Sequence, residues 1–288
     1  MMDYHVHPNY SIDADGNIEE FCRAALNAGL KEIAFTTHLD TDRVADDCYV
    51  NVKGKRVDVS SSVWFEDYES VIRSAGDQIE EWGLQILLGV EVDCFPTVEN
   101  SLPERFFATD FDIILGSVHL IDHIAISAGD RAEEVFRKYA IEELGEKYFS
   151  VMLDSIDLGI FDILAHIDLY RRYGESFYGD AIHELWKPYL NELANKMKHQ
   201  GVGFEINTSS LRRGMTQPMP EERIIHALKV GGIETVTIGS DAHSPNDVGK
   251  GIEEALDIIR RIGFRGPSTF RKRIPSVMPW SSSLKNQN

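Results

Sequence analysis

Short apolar runs alternate with amphipathic stretches along the whole chain. Seven apolar runs have the length and β-branched content of strands, at residues 1–7, 33–38, 86–92, 112–119, 162–168, 203–208 and 235–241. Six stretches have helical spacing, at residues 18–28, 65–82, 132–158, 181–200, 220–230 and 249–262. This alternation predicts βα units arranged around a parallel sheet.

Seven βα units predict a TIM-like α/β barrel with one unit fewer than the common eight. The 288 residues of the chain suit one such domain, which we predict at residues 1–270, followed by a tail at 271–288. The end of that tail, residues 281–288, is expected to be disordered. The longest irregular insertion, residues 39–64, follows the second strand and is predicted to be a lid or substrate loop.

Polar residues that can carry chemistry fall where the predicted strands end. They are His7, His38, Glu91, His119, His166, Asp241 and His243, and the exception is the sixth strand, which ends in Glu205-Ile-Asn-Thr-Ser209 without a histidine. Active sites of such barrels lie at the carboxyl ends of the strands. We therefore expect these side chains to share one rim.

Two pairs at opposite ends of the chain have the same i, i+2 spacing. The first strand ends in His5-Val-His7, and the last ends in Asp241-Ala-His243. On an extended backbone such a pair points to one side, so both side chains can reach one ion. Imidazole and carboxylate together suit zinc, iron and manganese. The sequence predicts that the two chain ends meet around a metal cluster.

Composition and net charge indicate which classes of partner the protein does not bind. The formal net charge of −18, with no basic run to offset it, argues against nucleic acid or an anionic membrane as the main partner. Three cysteines without CxxC spacing predict a reduced protein without a disulfide framework. No apolar run approaches the roughly 20 residues that span a bilayer. We expect a cytoplasmic protein, and the oligomeric state stays open.

A set of motifs in fixed order resembles the PHP family, the polymerase and histidinol phosphatase superfamily. The motifs are His5-x-His7, Ser11-x-Asp13, Thr37-His38, Gly89-x-Glu91, Gly116-Ser-x-His119, His166 and Gly239-Ser-Asp-x-His243. Within the family, the chain is most similar to stand-alone histidinol-phosphate phosphatases, which residues 162–174 and 205–208 also resemble.

The resemblance implies a distorted (β/α)7 barrel with a trinuclear site for divalent zinc, iron or manganese, or a mixture. One metal would be held by His5, His7, Glu91 and Asp241. A second would be held by Glu91 as a bridge with His119 and His166, and a third by Asp13, His38 and His243. Some relatives carry histidine at the position of Asp13. Glu91, Asp241 and His243 are the expected catalytic residues.

The implied reaction is hydrolysis of L-histidinol phosphate to L-histidinol and phosphate, a step of histidine biosynthesis. Uncatalysed phosphomonoester hydrolysis is so slow that up to about 10²¹-fold can be gained. Two metals that share a water lower its pKa and neutralise phosphate oxygens during in-line attack. Our hypothesis is attack by a metal-bridging hydroxide without a phosphoenzyme, with Glu91 fixing the metal separation.

Other polar residues near strand ends are substrate candidates. Arg172 and Arg212 could clamp phosphate through a bidentate fork. Asn207 could orient a ligand or the attacking water, and His123 could contact substrate. Further candidates are Asp168 and Asp122 for a substrate amine, whereas Arg171 and Arg213 are expected to be solvated.

Several alternatives stay open at this point. The same fold and metals could serve another small phosphate ester, such as a sugar phosphate or a nucleoside monophosphate. An amidohydrolase-type barrel also opens with an HxH strand, but it is disfavoured because Glu91 occupies the bridging position and no lysine lies at a strand end. A nuclease or scaffold module of a DNA polymerase and a non-catalytic metal-binding regulator are the remaining alternatives.

Overall fold

Seven parallel strands form the central sheet. A computed structural model describes residues 1–45 and 47–280. The strands are β1 (Met2–Val6), β2 (Glu32–Leu39), β3 (Gln85–Asp93), β4 (Ile113–Ser117), β5 (Ile163–Leu164), β6 (Gly203–Asn207) and β7 (Val236–Gly239). They are hydrogen-bonded in this order, and every neighbouring pair is parallel.

The first strand and the segment after the last strand close the sheet. The His7 N–H donates to the Ala242 carbonyl at 2.8 Å, and the Asp241 N–H donates to the His5 carbonyl at 2.8 Å. Val6 and Ala242 form a parallel bridge between them. The sheet is therefore a nearly closed barrel, and the predicted TIM-like (β/α)7 fold class is confirmed.

Ten helices surround the sheet. They are α1 (Ile18–Asn27), α2 (Ser62–Ile79), α3 (Glu104–Ala108), α4 (Gly129–Lys138), α5 (Ile141–Asp157), α6 (Arg171–Tyr178), α7 (Leu190–Gln200), α8 (Ser209–Arg212), α9 (Glu222–Val230) and α10 (Ile252–Ile262) in the described part of the chain. α1 begins with a capping box formed by Asn17 and Glu20, a pattern that can be recognised in the sequence.

Two predicted helices are interrupted. The stretch 132–158 is divided between α4 and α5 because Tyr139 and Ala140 are extended. The Tyr178 hydroxyl lies 2.8 Å from the Tyr139 carbonyl and 3.0 Å from that of Phe136, so these groups find a partner outside a continuous helix. The stretch 181–200 begins as a 3₁₀ turn, Gly179–Glu184, and α7 starts only after Pro188, which lacks the N–H that a helix interior needs.

The C-terminal segment closes the barrel floor. Strand Ser268–Arg271 pairs with Ile274–Val277 as an antiparallel hairpin. Phe270 is buried in the inner barrel core, whose other members are Met2, Tyr4, Ala34, Leu87, Ile113, Leu115, Ile163 and Ala165. The domain boundary predicted at residue 270 falls inside this hairpin, and the segment 281–288, predicted to be disordered, lies outside the described residues.

The insertion after β2 forms part of the opposite rim. It contains a hairpin of Tyr49–Val52 with Lys55–Asp58, which the Asn51 N–H attaches to the Tyr10 carbonyl at 2.8 Å. α2 begins at Ser62, so the last residues of the predicted 39–64 loop are helical. Its role as a lid stays a prediction. Within the described residues, none of the helices combines the length and the apolar character needed to cross a membrane.

Candidate metal centre

Closure of the barrel brings the two ends of the chain together at one rim. His5 lies in β1 and His7 directly after it, and Asp241 lies two residues after β7. Asp241 Oδ1 is 3.4 Å from His7 Nε2 and 3.8 Å from His5 Nε2. The i, i+2 pairs of the first and last strands therefore meet, as the sequence predicts.

The carboxylate of Glu91 stands between two groups of imidazoles. Its Oε2 atom lies 3.2 Å from His5 Nε2, 3.4 Å from His7 Nε2 and 3.0 Å from His38 Nδ1. Its Oε1 atom lies 3.0 Å from His166 Nε2 and 3.5 Å from His119 Nε2. A carboxylate whose two oxygens face separate ligand groups has the geometry of a metal bridge.

A third set of side chains lies further out on the rim. His243 Nε2 is 3.4 Å from His38 Nε2 and 3.3 Å from Asp13 Oδ2. Asp13 Oδ1 is 3.9 Å from His38 Nε2, and the Asp13 side chain is 63% exposed. The predicted third set of ligands is thus assembled at the mouth of the site.

The donor atoms converge closely enough to hold metal ions. Four groups have ligand atoms within 4.8 Å of one another, namely His7 with His38 and His243, His5 with His7 and Asp241, His5 with Glu91 and His166, and His38 with Asp40 and His119. In the described part of the chain, His5 Nε2, His7 Nε2, His38 Nδ1 and Glu91 Oε2 are buried without a hydrogen-bond partner. Buried polar atoms are rarely left unsatisfied. Divalent cations would satisfy these atoms, so the residues fit a metal site.

Electrostatics favour the carboxylate over the carboxylic acid at Glu91 and Asp241, whereas burial raises the pKa of Asp40 to about 7 and that of Asp93 well above its usual range. Burial alone raises the pKa of Glu91, but the surrounding imidazoles, led by His5 and His119, hold it well below its usual range. The pKa of Asp241 is likewise lowered, chiefly by His5. Burial lowers the pKa of His119 to about 3, so its imidazole is neutral. Ionised carboxylates and neutral imidazoles are the forms that bind metals.

Carboxylates behind the ligands orient them. His5 Nδ1 lies 2.7 Å from Glu205 Oε1, which directs Nε2 toward Glu91. Asp93 accepts the backbone N–H of His119 at 3.0 Å. Such outer partners fix the orientation of ligating histidines. Our sequence interpretation assigned no role to Glu205, because its strand ends without a histidine.

Two acids of the site were missed although a signal was available. Asp40 follows His38 by two residues, and Asp93 follows Glu91 by two. This is the spacing that identified His5 and His7, since alternate strand residues share a face. Both acids line the cavity beside the centre.

The comparisons with known proteins agree with this arrangement. A sequence profile of the PHP domain matches residues 3–209. The chain belongs to the PHP domain family. The predicted family is therefore confirmed, and β7 with Asp241 and His243 lies beyond the matched segment.

Relatives of this PHP protein match over nearly its whole length. The probable histidinol-phosphatase of Deinococcus radiodurans is 28% identical over 276 residues, 95% of this chain and 97% of the relative. The histidinol-phosphatase of Lactococcus lactis is 25% identical over 274 residues, 93% of this chain and 94% of the relative.

Solved structures show the same fold. The histidinol phosphate phosphatase of L. lactis, crystallised with zinc, L-histidinol and phosphate, superimposes with a TM-score of 0.78 at 22% identity, covering 96% of this chain and 98% of that one. A putative histidinol phosphatase of Listeria monocytogenes gives 0.71 at 18% identity, covering 88% and 99%.

A cavity of about 300 Å³ opens above the centre of the PHP barrel, and its lining includes both acids and arginines. The insertion after β2 contributes Asp40, Asp42 and Asp47. Arg172 and Arg213 line the cavity as well. Arg213 was expected to be a solvated neighbour, and it is exposed, but it also borders the site.

Arg172 is the predicted phosphate ligand that faces this cavity. Its guanidinium makes only long contacts, 3.3 Å to Ser209 Oγ and 3.5 Å to the Ser127 carbonyl. Its Nε atom is buried without a hydrogen-bond partner among the described residues. The donors of Arg172 are therefore available to an anion.

The other predicted phosphate ligand is engaged elsewhere. The Arg212 guanidinium donates to the Ser240 carbonyl at 2.6 Å and to the Asp241 carbonyl at 3.1 Å. Arg212 does not line the cavity. Its fork holds the backbone that carries Asp241, and the prediction that it clamps phosphate stays a prediction.

Asn207 and His123 also lie away from the cavity. Asn207 is buried, donates to Glu205 Oε2 at 3.1 Å and accepts from the Ser209 hydroxyl at 2.6 Å. His123 pairs with Asp42 at 2.5 Å and lines a separate cavity of about 420 Å³. Substrate contact by either residue stays a prediction.

The residues expected to bind a substrate amine are also engaged. Asp168 is buried against Arg171, which is not solvated as expected. Asp122 pairs with Lys147 at 3.2 Å and accepts from the Tyr139 hydroxyl. The acids that do face the cavity are those of the insertion after β2.

Proposed function

We propose that the protein is a metal-dependent phosphomonoesterase that hydrolyses L-histidinol phosphate. The observation that carries this proposal is the Glu91 carboxylate, whose two oxygens face two groups of imidazoles beside an arginine-lined cavity. Two relatives that align over nearly the full length of the chain bear the names probable histidinol-phosphatase and histidinol-phosphatase, which supports the choice of substrate.

Three divalent ions, of zinc, iron or manganese, would occupy the rim. His5, His7, Glu91 and Asp241 would hold the first, Glu91, His119 and His166 the second, and Asp13, His38 and His243 the third. When bound, such ions activate water and neutralise the charge of phosphate oxygens. Grouping of donor atoms within 4.8 Å supports His5, His7 and Asp241 of the first set. It joins His166 to His5 and Glu91, His119 to His38 and Asp40, and His243 to His7 and His38.

The chain's own residues bind and orient the ester. Arg172 would donate to the phosphate oxygens from the cavity wall, where a planar fork matches phosphate geometry. Glu205 holds His5, and Arg212 holds the backbone of Asp241. Asp241 Oδ1 lies 3.5 Å from His243 Nδ1, so these two groups are neighbours at the rim.

The charge of the opposite wall favours a cationic alcohol as leaving group. L-Histidinol carries an ammonium group and an imidazole, and the wall facing them would present Asp40, Asp42 and Asp47. A sugar phosphate or nucleoside monophosphate offers no such cation near the phosphate. Charge complementarity of this kind gives specificity more than raw affinity.

The test is phosphate release by metal-replete protein from L-histidinol phosphate, with a sugar phosphate and a nucleoside monophosphate in parallel. We expect a kcat/KM above roughly 10⁴ M⁻¹s⁻¹ for histidinol phosphate, within the usual range for an enzyme on its own substrate. We also expect much lower values for the other two esters. Equal rates for all three would contradict the substrate assignment, and the absence of any turnover would contradict the enzyme assignment.

A further inference from the structure

The segment after β5 carries two groups of the site although it is not held by the sheet. β5 ends at Leu164, and the chain continues in tight turns up to α6. His166 lies in these turns with φ of +24°, a conformation that residues with a side chain rarely adopt. Such a conformation persists only where the surroundings determine it strongly.

A buried ion pair lies beneath these turns. Arg171 is 2% exposed and Asp168 is fully buried, with 2.6 Å between Arg171 Nε and Asp168 Oδ2. The same oxygen accepts the Glu221 N–H at 2.9 Å. Arg171 Nη2 also donates to the Pro218 carbonyl. The pair therefore ties the turns to the segment 218–221.

That segment is itself attached to the barrel. Met219 and Asn207 exchange two backbone hydrogen bonds, at 2.7 and 2.9 Å, and Asn207 is the last residue of β6. The His166 N–H also reaches β6, at 3.1 Å from Glu205 Oε2. The turns are thus fixed to β6 at two places, and Arg171 provides one of the links.

Stability alone does not account for this pair. Asp168 Oδ1 is buried and has no hydrogen-bond partner among the residues that the structure describes. A buried ion pair offsets its desolvation only when its remaining polar atoms are satisfied. A network with an unsatisfied oxygen is therefore better explained by the position that it imposes.

Arg172 follows Arg171 directly at the start of α6. Consecutive helical residues do not face each other, so fixing one side chain beneath the turns directs the next one outward. Arg172 has only long protein contacts of its own, at 3.3 and 3.5 Å. Its direction is therefore set by the backbone and not by its guanidinium.

We propose that the Arg171–Asp168 pair is a positioning device that directs Arg172 into the cavity. The device rests on the proposed function in one respect, namely that the anion bound by Arg172 is a phosphate. Neither Arg171 nor Asp168 touches the substrate, because both are buried beneath the turns.

The experiment is a double-mutant cycle on metal-replete protein. The first change is the paired variant Asp168→Asn with Arg171→Met, which removes both charges and leaves no buried charge without a partner. The second change is Arg172→Ala. Calorimetry measures the Kd of inorganic phosphate, and assays measure kcat and KM for L-histidinol phosphate.

We expect the paired variant to weaken phosphate binding and raise KM by roughly tenfold, with a smaller change in kcat. In the Arg172→Ala background, the two substitutions Asp168→Asn and Arg171→Met together should change the phosphate Kd less than about twofold, because they act by displacing Arg172. If the phosphate Kd of the combined variant rises by the product of the increases in the paired variant and in Arg172→Ala, the proposal is overturned. Unchanged phosphate binding by the paired variant would overturn it as well.

Controls separate positioning from loss of fold. Arg273→Met removes a comparable arginine, which lies 3.1 Å from Asp162 on the barrel floor, and should leave the phosphate Kd unchanged. Metal content and Tm are measured for every variant. If the paired variant does not fold, Asp168→Asn alone replaces it, because an asparagine oxygen can still accept the Glu221 N–H.

The calorimetric arm keeps the two proposals distinct. Phosphate binding that obeys the cycle without turnover of any ester would support the positioning role and contradict the phosphatase assignment. Turnover of histidinol phosphate, combined with independent effects of the paired variant and Arg172→Ala on phosphate binding, would support the phosphatase assignment and contradict the positioning role. Wild-type protein that binds no phosphate would overturn both.

Discussion

The two ends of the barrel use carboxylates in opposite ways. At the floor, Glu32, Asp112 and Asp162 lie at the starts of strands and are each within 3.1 Å of an arginine. Two of these arginines, Arg271 and Arg273, come from the C-terminal hairpin. At the rim, Glu91 faces three imidazole nitrogens that have no hydrogen-bond partner among the described residues, namely His5 Nε2, His7 Nε2 and His38 Nδ1.

The difference separates stability from function. Floor carboxylates also accept backbone N–H groups, such as that of Leu88 by Asp112 and that of Ile114 by Asp162, so their bonds close the structure. At the rim, Glu91 Oε2 and Asp40 Oδ1 are buried without a hydrogen-bond partner among the described residues. Departures from complete satisfaction of polar groups are expected at functional sites.

A glutamate-to-glutamine substitution at the rim and one at the floor should give the largest difference in kcat/KM. Glu91→Gln removes a charge that both imidazole groups face, and we expect kcat/KM for L-histidinol phosphate to fall by more than about 10³-fold with loss of bound metal. Glu32→Gln removes a floor charge that pairs with Arg271, and we expect nearly unchanged kcat/KM. Kinetics with metal analysis check both, and full activity of Glu91→Gln would remove the bridge from our scheme.

Substitution of a residue that contacts a metal ligand, and not the metal, should have a smaller effect on activity. Glu205→Gln weakens the contact that orients His5, and we expect a loss of roughly 10- to 100-fold in metal affinity or activity. Titration of the metal-free protein with zinc, alongside steady-state kinetics, measures this loss. Asp3→Asn, a buried acid that binds backbone N–H groups of Ser240 and Gly249, is the comparison for folding effects.

The arginine of the cavity wall should affect binding more than turnover. Arg172→Ala removes charge-assisted bonds to phosphate, each of which contributes about 1.5–3 kcal/mol, so KM should rise by roughly 10- to 100-fold. Arg172→Lys should recover only part of this, because an ammonium lacks the planar fork. A KM within twofold of wild type for Arg172→Ala would show that this guanidinium does not bind the ester.

The acidic wall should affect selectivity. Asp47→Asn removes a charge from the wall of the insertion without touching the centre, and we expect the preference for histidinol phosphate over a sugar phosphate to fall by roughly three- to tenfold. Ratios of kcat/KM for the two esters provide the measurement. Asp58→Asn, on the same insertion but paired with Arg43, is the matched control.

The smallest effect on activity is expected at the floor. Arg271→Met breaks a pair whose arginine is 40% exposed, so we expect a loss of about 1 kcal/mol or less in unfolding free energy and a Tm lower by a few degrees. Activity at 25 °C should not change. Thermal unfolding with parallel kinetics checks this, and a large loss of activity would mean that the two ends of the barrel are coupled.

Prediction from the sequence succeeded where a local pattern carries the signal. The seven strands were placed within a few residues because apolar runs and the intervening helical periods are read directly from the chain. β5 was the exception, with only Ile163 and Leu164 in the sheet, because the turns that follow are stabilised by the distant Glu205 and Glu221.

The same limit applies to the predicted substrate contacts. Arg212 and Asn207 follow a strand end as Arg172 does, and sequence position alone does not distinguish the three. The carbonyls of Ser240 and Asp241 take the Arg212 fork, and neighbours on the β6 rim take the Asn207 amide. Hydrogen bonds between distant segments decided which candidate faces the cavity.

The sequence by itself determined the barrel, the family and the nine candidate metal ligands, because strand period and motif order are local properties of the chain. The tertiary structure decided how those ligands are grouped, which arginine remains available to an anion, and where the acidic wall stands. The physical reason is that a buried polar group must find a partner, and partners far apart in the chain are chosen only when the barrel closes.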